Sequence, residues 1–262
     1  MISEAGASAA NRVGHSSNPV EPPILSGQGD LTSVAYERIE ELFISLSLQP
    51  GASLSTQDLQ NLTGLGRTPV HQALRRLAAE TLFEIQPRNG LRVTPIDLAR
   101  EKRLAVLRRD MDRFVVEAAI GSMEGNERAR LGFIIRLTES ERSSMSLDRF
   151  NMLDKAFDIL MIQASRERFL ERCLRPLKAF ARRSGYLDID RVSKAEGLQS
   201  SIERHLAIMQ AVMEGDVATA CAMSDRLVDL AMEMLDRLER SVDPSLLDIN
   251  FTLHASLTGG AH

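Results

Sequence analysis

The chain has 262 residues, 44% of them hydrophobic and 26% charged, with a formal net charge of −4. This composition fits a soluble globular protein long enough for two domains, and it excludes a chain that is basic throughout, so any footprint on a polyanion must be local. No apolar run approaches the length of a membrane-crossing helix, and the opening Met1-Ile2-Ser3-Glu4 lacks the basic region and apolar core of a secretory signal. Cys173 and Cys221 fall inside helical patterns and make no disulfide framework, so a reducing, cytoplasmic setting is expected, with both cysteines read as small buried hydrophobes.

Residues 1–30 are rich in Ser, Gly, Ala, Asn and Pro without a periodic apolar face, which predicts a disordered arm. From Leu31 to Leu48, Val34, Ile39, Leu42, Phe43 and Leu46 recur at helical spacing, and Pro50-Gly51 ends the pattern. Ser55, three residues before Asp58, is a capping-box start for a short second helix carrying Leu59 and Leu62, and Gly64 is its C-terminal stop. The corner to the next segment is only about four residues, which suits a helix-turn-helix.

The segment Gly66 to Leu77 is the stretch that sets the function. Pro69 lies in a first helical turn, where its missing N–H costs nothing. Val70, Ala73, Leu74 and Leu77 make one apolar face. Arg67, His71 and Arg75 lie four apart on the opposite side with Thr68 and Gln72 beside them, a face of donors for guanine edges and phosphates. An amphipathic surface helix with a merely solvated polar side is the alternative. Downstream, Phe83-Glu84-Ile85-Gln86 and Leu91-Arg92-Val93 flank Pro87-Arg88-Asn89-Gly90, and Asn-Gly is a strong hairpin signal because both turn positions must accept positive φ. Three helices and a tight hairpin describe a winged helix-turn-helix over residues 31–97. Five of the six arginines in residues 32–97 fall on the third helix or the hairpin, while acids there number seven, so the positive face arises by segregation rather than by net charge.

The run from Leu48 to Val93 resembles the DNA-binding module of the GntR family of bacterial transcription regulators. In that family a Pro-Gly follows the first helix, a Ser/Thr-Arg-Thr-Pro-Val-Arg-x-Ala-Leu run opens the recognition helix, and an Arg/His-x-Gly wing tip follows. Gly66 stands where the family usually has Ser or Thr, His71 where it has Arg, and Thr81 where it has Gly, so the operator sequence cannot be copied from a relative. The resemblance implies base contacts from Arg67, Thr68 and His71 with Gln72 beside them, wing contacts from Arg88, Asn89 and Gly90, and phosphate contacts from Gln57 and Arg75.

Past Pro95-Ile96-Asp97, where Asp97 reads as an N-cap, the periodicity is helical almost without interruption. Leu104, Leu107, Met111, Phe114, Val115 and Ala118 give one helix, and segments near 126–141, 147–165, 167–186, 194–214 and 216–240 give five more. Breaks are expected at Gly121, Gly125, Gly185, Gly197, Gly215 and Pro244. The fold class is therefore mostly α: a winged helix-turn-helix followed by an antiparallel bundle of six or seven helices over residues 98–243, with a tail from 244 to 262 expected to fray.

The helical half is similar to the FCD effector domain of the FadR-type branch of GntR regulators. Leu153 to Asp158 resembles the family's Asp-x-x-Phe-His. Glu203-Arg204-His205 with Ala211 and Gly215-Asp216 resembles its Glu-His with a downstream Gly-Asp, and Met223 to Leu227 resembles its Met-x-x-His-Leu. Many such domains hold a divalent metal through the Asp and three His of these motifs. Here Asp158 replaces the first histidine, and Arg226, or Leu227 without a gap, replaces the third, so no metal is firmly implied; Asp154, Asp158 and His205 are the ligands that remain. Two other uses stay open: Arg226, His205 and Arg108 as a clamp on an anionic, carboxylate-bearing effector, or buried structural ion pairs.

These readings predict a transcriptional regulator, in the repressor mould, that binds a palindromic operator in double-stranded DNA as a homodimer and responds to a small molecule, with no membrane partner. Rival classes are a winged interaction module that never reads DNA and a helical-bundle enzyme. The sequence has no paired Glu-x-x-His, no Gly-x-Ser-x-Gly, no Gly-x-Gly-x-x-Gly and no Gly-Lys-Ser/Thr loop, so catalysis is not expected.

Overall fold

The computed structural model describes residues 31–86 and 90–251. The N-terminal arm, the wing-tip residues Arg88 and Asn89, and the last residues of the tail lie outside the described residues.

The winged half contains α1 (Leu31–Ile44), β1 (Ser53–Leu54), α2 (Thr56–Thr63), α3 (Arg67–Ala79), β2 (Phe83–Gln86) and β3 (Gly90–Val93). Its caps follow from the sequence. Ser55 N–H donates to Asp58 Oδ2 at 2.8 Å while Asp58 N–H donates to Ser55 Oγ at 3.2 Å, the reciprocal bonds of a capping box. Gly64 ends α2 in the left-handed region at φ 67°. Helix α1 stops at Ile44, four residues before the apolar pattern does, and Leu46 takes a positive φ of 59° as the chain turns. The sheet order is β1-β3-β2, all antiparallel, with a short β1 that the sequence pattern does not reveal. Gln86 pairs with Gly90, so Gly90 already belongs to β3. Its φ of 84° requires glycine, and a Cβ there would lie 2.6 Å from the Leu54 carbonyl oxygen on β1.

Six helices make up the helical half among the described residues: α4 (Leu98–Ser122), α5 (Gly125–Glu141), α6 (Leu147–Ala164), α7 (Arg168–Asp188), α8 (Lys194–Glu214) and α9 (Val217–Ser241). Asp97 caps α4 by accepting from Arg100 N–H. The longest packing seam runs between α4 and α9. Glycine is a weaker breaker here than expected. Gly121 and Gly185 sit inside α4 and α7, held there by buried neighbours such as Ala119, Ser184 and Leu187. Gly197 lies in the first turn of α8, where a π-helical segment (Ile189–Ser193) brings Ser193 so close that a Cβ would meet its Oγ at 1.9 Å. There the missing side chain permits a close approach rather than a turn.

The two halves share a core. Phe180 and Ala179 of α7 are buried among winged-half residues, with Phe180 edge-on to Phe43 at 5.8 Å between centroids. Burying one such ring contributes about 1.5–3 kcal/mol. Arg183 is fully buried: its Nη1 donates to the Thr94 carbonyl at 2.6 Å and its guanidinium lies 3.9 Å from the Phe43 centroid. The expectation of a frayed tail is corrected over residues 244–251. Ile96 N–H donates to the Leu247 carbonyl, Ile249 N–H to the Pro50 carbonyl, and Arg92 Nη2 pairs with Asp248 Oδ2 at 2.8 Å. Leu246 and Leu247 pack beside Ile96, so this segment has its own apolar anchor, and a Cβ on Gly51 would collide with the Asp248 carboxylate.

Candidate nucleic-acid interface and ligand cavity

Helix α3 buries Val70, Ala73, Leu74 and Leu77 and packs on α1, which turns its other side outward. Arg67, Thr68, His71, Gln72 and Arg75 are all exposed. Among the described residues no ion pair engages Arg67, His71 or Arg75, so their charge and donors face solvent. Gln72 is tied to α1, its Oε1 accepting from Thr32 Oγ1 at 2.6 Å. Gln57 is exposed on α2 and donates to Asn61 at 3.1 Å. Gly90 is exposed at the root of the wing tip. Arg76 behaves differently from Arg75: it turns back to pair with Glu80 at 3.0 Å and covers the Tyr36 ring at 4.1 Å.

On the other side of Tyr36 begins a charged joint between the halves. Arg175 of α7 stacks on the same ring at 4.0 Å and pairs with Glu40 at 3.0 Å, and Lys155 of α6 pairs with Glu40 at 2.5 Å. Burial pushes the Glu40 carboxyl up, but Lys155 and Arg175 outweigh it and hold the group at about 2. Near the hinge, burial raises the Glu101 carboxyl to about 7 despite a bond from the Ser184 hydroxyl and the nearby Arg183. The same burial lowers Arg183 to about 9.

The helical half encloses a cavity of about 610 Å³. Its wall includes Phe150, Phe157, Met161, Leu227 and Met234 on the apolar side. At its polar end, Arg108, Asp112, Lys178, Asp158, Arg182 and Asp154 follow one another as a chain of alternating charge, with His205 beside Asp154. Arg108 Nε lies 3.3 Å from Asp112 Oδ2, and Lys178 Nζ bridges Asp112 Oδ1 at 3.1 Å and Asp158 Oδ1 at 2.7 Å. Arg182 donates through Nε to Asp154 Oδ2 at 2.7 Å and through Nη2 to Asp158 Oδ2. His205 Nε2 stands 3.3 Å from Asp154 Oδ1, and its Nδ1 is 2.7 Å from the Ser201 carbonyl. Burial acts to raise Asp154, yet Arg182, His205 and Lys178 hold it well below the usual carboxylate range.

Of the cavity residues read from sequence, Arg108, Asp154, Asp158 and His205 come together here, and Arg226 does not. Arg226 is exposed and faces Glu233 at 3.6 Å, while the next residue, Leu227, lines the cavity, so the ungapped alignment of that motif is the one the helix realises. Lys178 and Arg182 escaped the sequence reading because basic residues on α7 look like a solvated stripe. The available signal was their spacing: Lys178 and Arg182 lie four apart, matching Asp154 and Asp158 on α6.

The donor set does not fit a divalent metal. A guanidinium stands between Asp154 and Asp158 and an ammonium occupies the remaining oxygen of Asp158, and neither can be a ligand. Among the described residues no group of three His, Cys, Asp or Glu side chains is placed to hold an ion.

Comparison with known proteins agrees with both halves. The model of the bacterial regulatory proteins, gntR family, matches residues 31–93, and the FCD domain matches residues 103–230. An HTH-type transcriptional regulator in an unstable DNA locus of Streptomyces ambofaciens is 29% identical over 71% of this chain and 76% of its own length. The HTH-type transcriptional repressor RspR of Escherichia coli K12 is 24% identical over 82% of this chain and 90% of its own. Among solved structures, E. coli McbR/YncC superposes with a TM-score of 0.68 at 17% identity, covering 80% of this chain and 99% of that one, a likeness of fold. No helix among the described residues is long and apolar enough to cross a membrane.

Proposed function

The chain belongs to the GntR family of bacterial regulatory proteins and carries an FCD domain, and from that premise we propose a transcriptional repressor that binds a palindromic operator as a homodimer and is controlled by a small anionic molecule in the helical cavity. The observation that carries the DNA reading is the outward face of α3, where Arg67, His71 and Arg75 hold no ion pair among the described residues while Arg76, one position on, is fully engaged. Unpaired surface arginines keep their donors for base edges and phosphates. Arg67, Thr68 and His71 enter the major groove with Gln72 beside them, Arg75 and Gln57 hold phosphates, and Arg88, Asn89 and Gly90 bring the wing to the backbone or the minor groove. One recognition helix reads too few base pairs for a unique site, hence two copies on a palindrome.

The cavity binds rather than catalyses in this reading. All three carboxylates, Asp112, Asp154 and Asp158, are engaged in ion pairs with Arg108, Lys178 or Arg182 rather than poised as free general bases. The test is operator binding by fluorescence anisotropy, using duplexes selected from a random library. Arg67→Ala is expected to weaken the selected duplex by about 1–3 kcal/mol and to relax its sequence preference. Equal affinity of wild type and variant on every duplex would remove Arg67 from the interface, and a binding constant insensitive to salt would favour a winged module that contacts protein instead.

A further inference from the structure

The polar end of the cavity keeps hydrogen-bond donors in reserve, and Arg108 Nε is buried there without a hydrogen-bond partner, as is Asp112 Oδ1. Each of the six carboxylate oxygens on Asp112, Asp154 and Asp158 lies within 3.3 Å of a nitrogen of Arg108, Lys178, Arg182 or His205, Asp112 Oδ1 without a hydrogen bond. A guanidinium carries five N–H donors and an ammonium three. Arg182 spends its Nε and one Nη on the two α6 aspartates, Lys178 bonds two carboxylates, and the described contacts of Arg108 end at its Nε. Both ring nitrogens of His205 lie near oxygens, Nδ1 by the Ser201 carbonyl and Nε2 by Asp154 Oδ1. Three carboxylates thus stand against the three permanent cations Arg108, Lys178 and Arg182. A molecule completing this end supplies oxygens that accept from the remaining N–H groups of Arg108, Lys178 and Arg182, and the apolar wall formed by Phe150, Phe157, Met161 and Met234 is met by an apolar body.

The placement of Arg182 adds a second point. It reaches both Asp154 and Asp158, one helical turn apart on α6, and so fills the space in which a divalent cation would bridge them. We propose that Arg182, backed by Lys178, is a built-in cation standing in place of a divalent ion, and that the N–H groups left over on Arg182, Lys178 and Arg108 bind the carboxylate of a ligand with an apolar body. This rests on the reading of the cavity as an effector site and names the chemistry of that effector: a monocarboxylate recognised by arginine and lysine directly, without metal.

The experiment uses the full chain after chelator treatment and has two arms. In the first, zinc, nickel and manganese are added separately, and bound metal is counted after gel filtration alongside the melting temperature. Wild type is expected to retain none, Arg182→Ala to gain about one equivalent held by Asp154, Asp158 and His205, and the further change His205→Ala to abolish it. Stoichiometric metal on wild type, or none on a folded Arg182→Ala, overturns the replacement. If Arg182→Ala does not fold, Arg182→Gln, which keeps the length and loses the charge, is read in its place by the same criteria. In the second arm, straight-chain acids from butanoate to dodecanoate are compared with their primary amides. One or more acids are expected to raise the melting temperature of wild type while the matching amides do not, and Lys178→Met or Arg108→Ala is expected to weaken that acid about tenfold. No response to any acid, or an equal response to the amides, overturns the carboxylate assignment. Operator binding by wild type is measured in parallel: its persistence while either arm fails sinks this inference alone, whereas its absence sinks the regulator reading itself.

Discussion

The outward face of α3 and the polar end of the helical cavity are both rich in arginine and use it in opposite ways. Arg67 and Arg75 stand in solvent with no ion pair among the described residues. Arg182, in the cavity, is bound to two aspartates, and Lys178 to two more oxygens. Dielectric explains the difference. A charge in water costs nothing to leave unpaired and stays available to a polyanion, whose counterions it displaces on binding. A charge taken out of water must be neutralised by partners, so a buried site can offer a ligand only the hydrogens its partners leave over.

That contrast can be broken first where it is strongest. Asp154→Ala leaves Arg182 and His205 buried with one partner fewer and should cost about 3–5 kcal/mol, read as a lowered urea midpoint. The joint between the halves comes next. Glu101 has its carboxyl raised to about 7 from an ordinary value of 4.5, so the folded state keeps a proton that the unfolded chain releases. The stability tied to that proton is complete below 4.5, drains as pH rises, and is gone above 7. Glu101→Gln should therefore be more stable than wild type at pH 8 by on the order of 2–3 kcal/mol and no more stable at pH 4. On the open face, Arg67→Ala should lose about 1–3 kcal/mol of operator binding while its unfolding midpoint stays within about 0.5 kcal/mol of wild type. The smallest effect belongs to Arg226, an arginine of the helical half that lives by surface rules. Its exposed pair with Glu233 predicts a change within about 0.5 kcal/mol on Arg226→Ala, and no change in carboxylate binding.

How much of this was legible in the sequence differs between the two regions for the same reason. The recognition helix is local: its proline, its apolar face and its four-residue arginine spacing all sit in one segment, and the caps at Ser55, Gly64 and Asp97 are written beside the helices they close. The cavity is assembled from α4, α6, α7, α8 and α9, and a single helix does not say which of its charged residues will meet the charges of another. Asp154, Asp158 and His205 were found through their motifs, whereas Lys178 and Arg182 have meaning only once α7 is laid against α6. Arg226 was misplaced by one position, enough on a helix to swing a side chain from the cavity to solvent. Gly197 reads as a break for a related reason, since a turn-forming residue and a close-contact residue look alike until the neighbour is known.

Residues 244–251 return to the winged half and clasp the foot of the hairpin, at Pro50, Gly51, Arg92 and Ile96. Cutting the chain after the hinge to isolate a small reader of DNA would discard that clasp along with Phe180 and Arg183, exposing the Phe43 ring and leaving the Thr94 carbonyl without its donor. The reading head is thus completed by α7 and by residues 244–251, and a shortened version of the chain should lose residues from the outer rim of the helical half before either seam is touched.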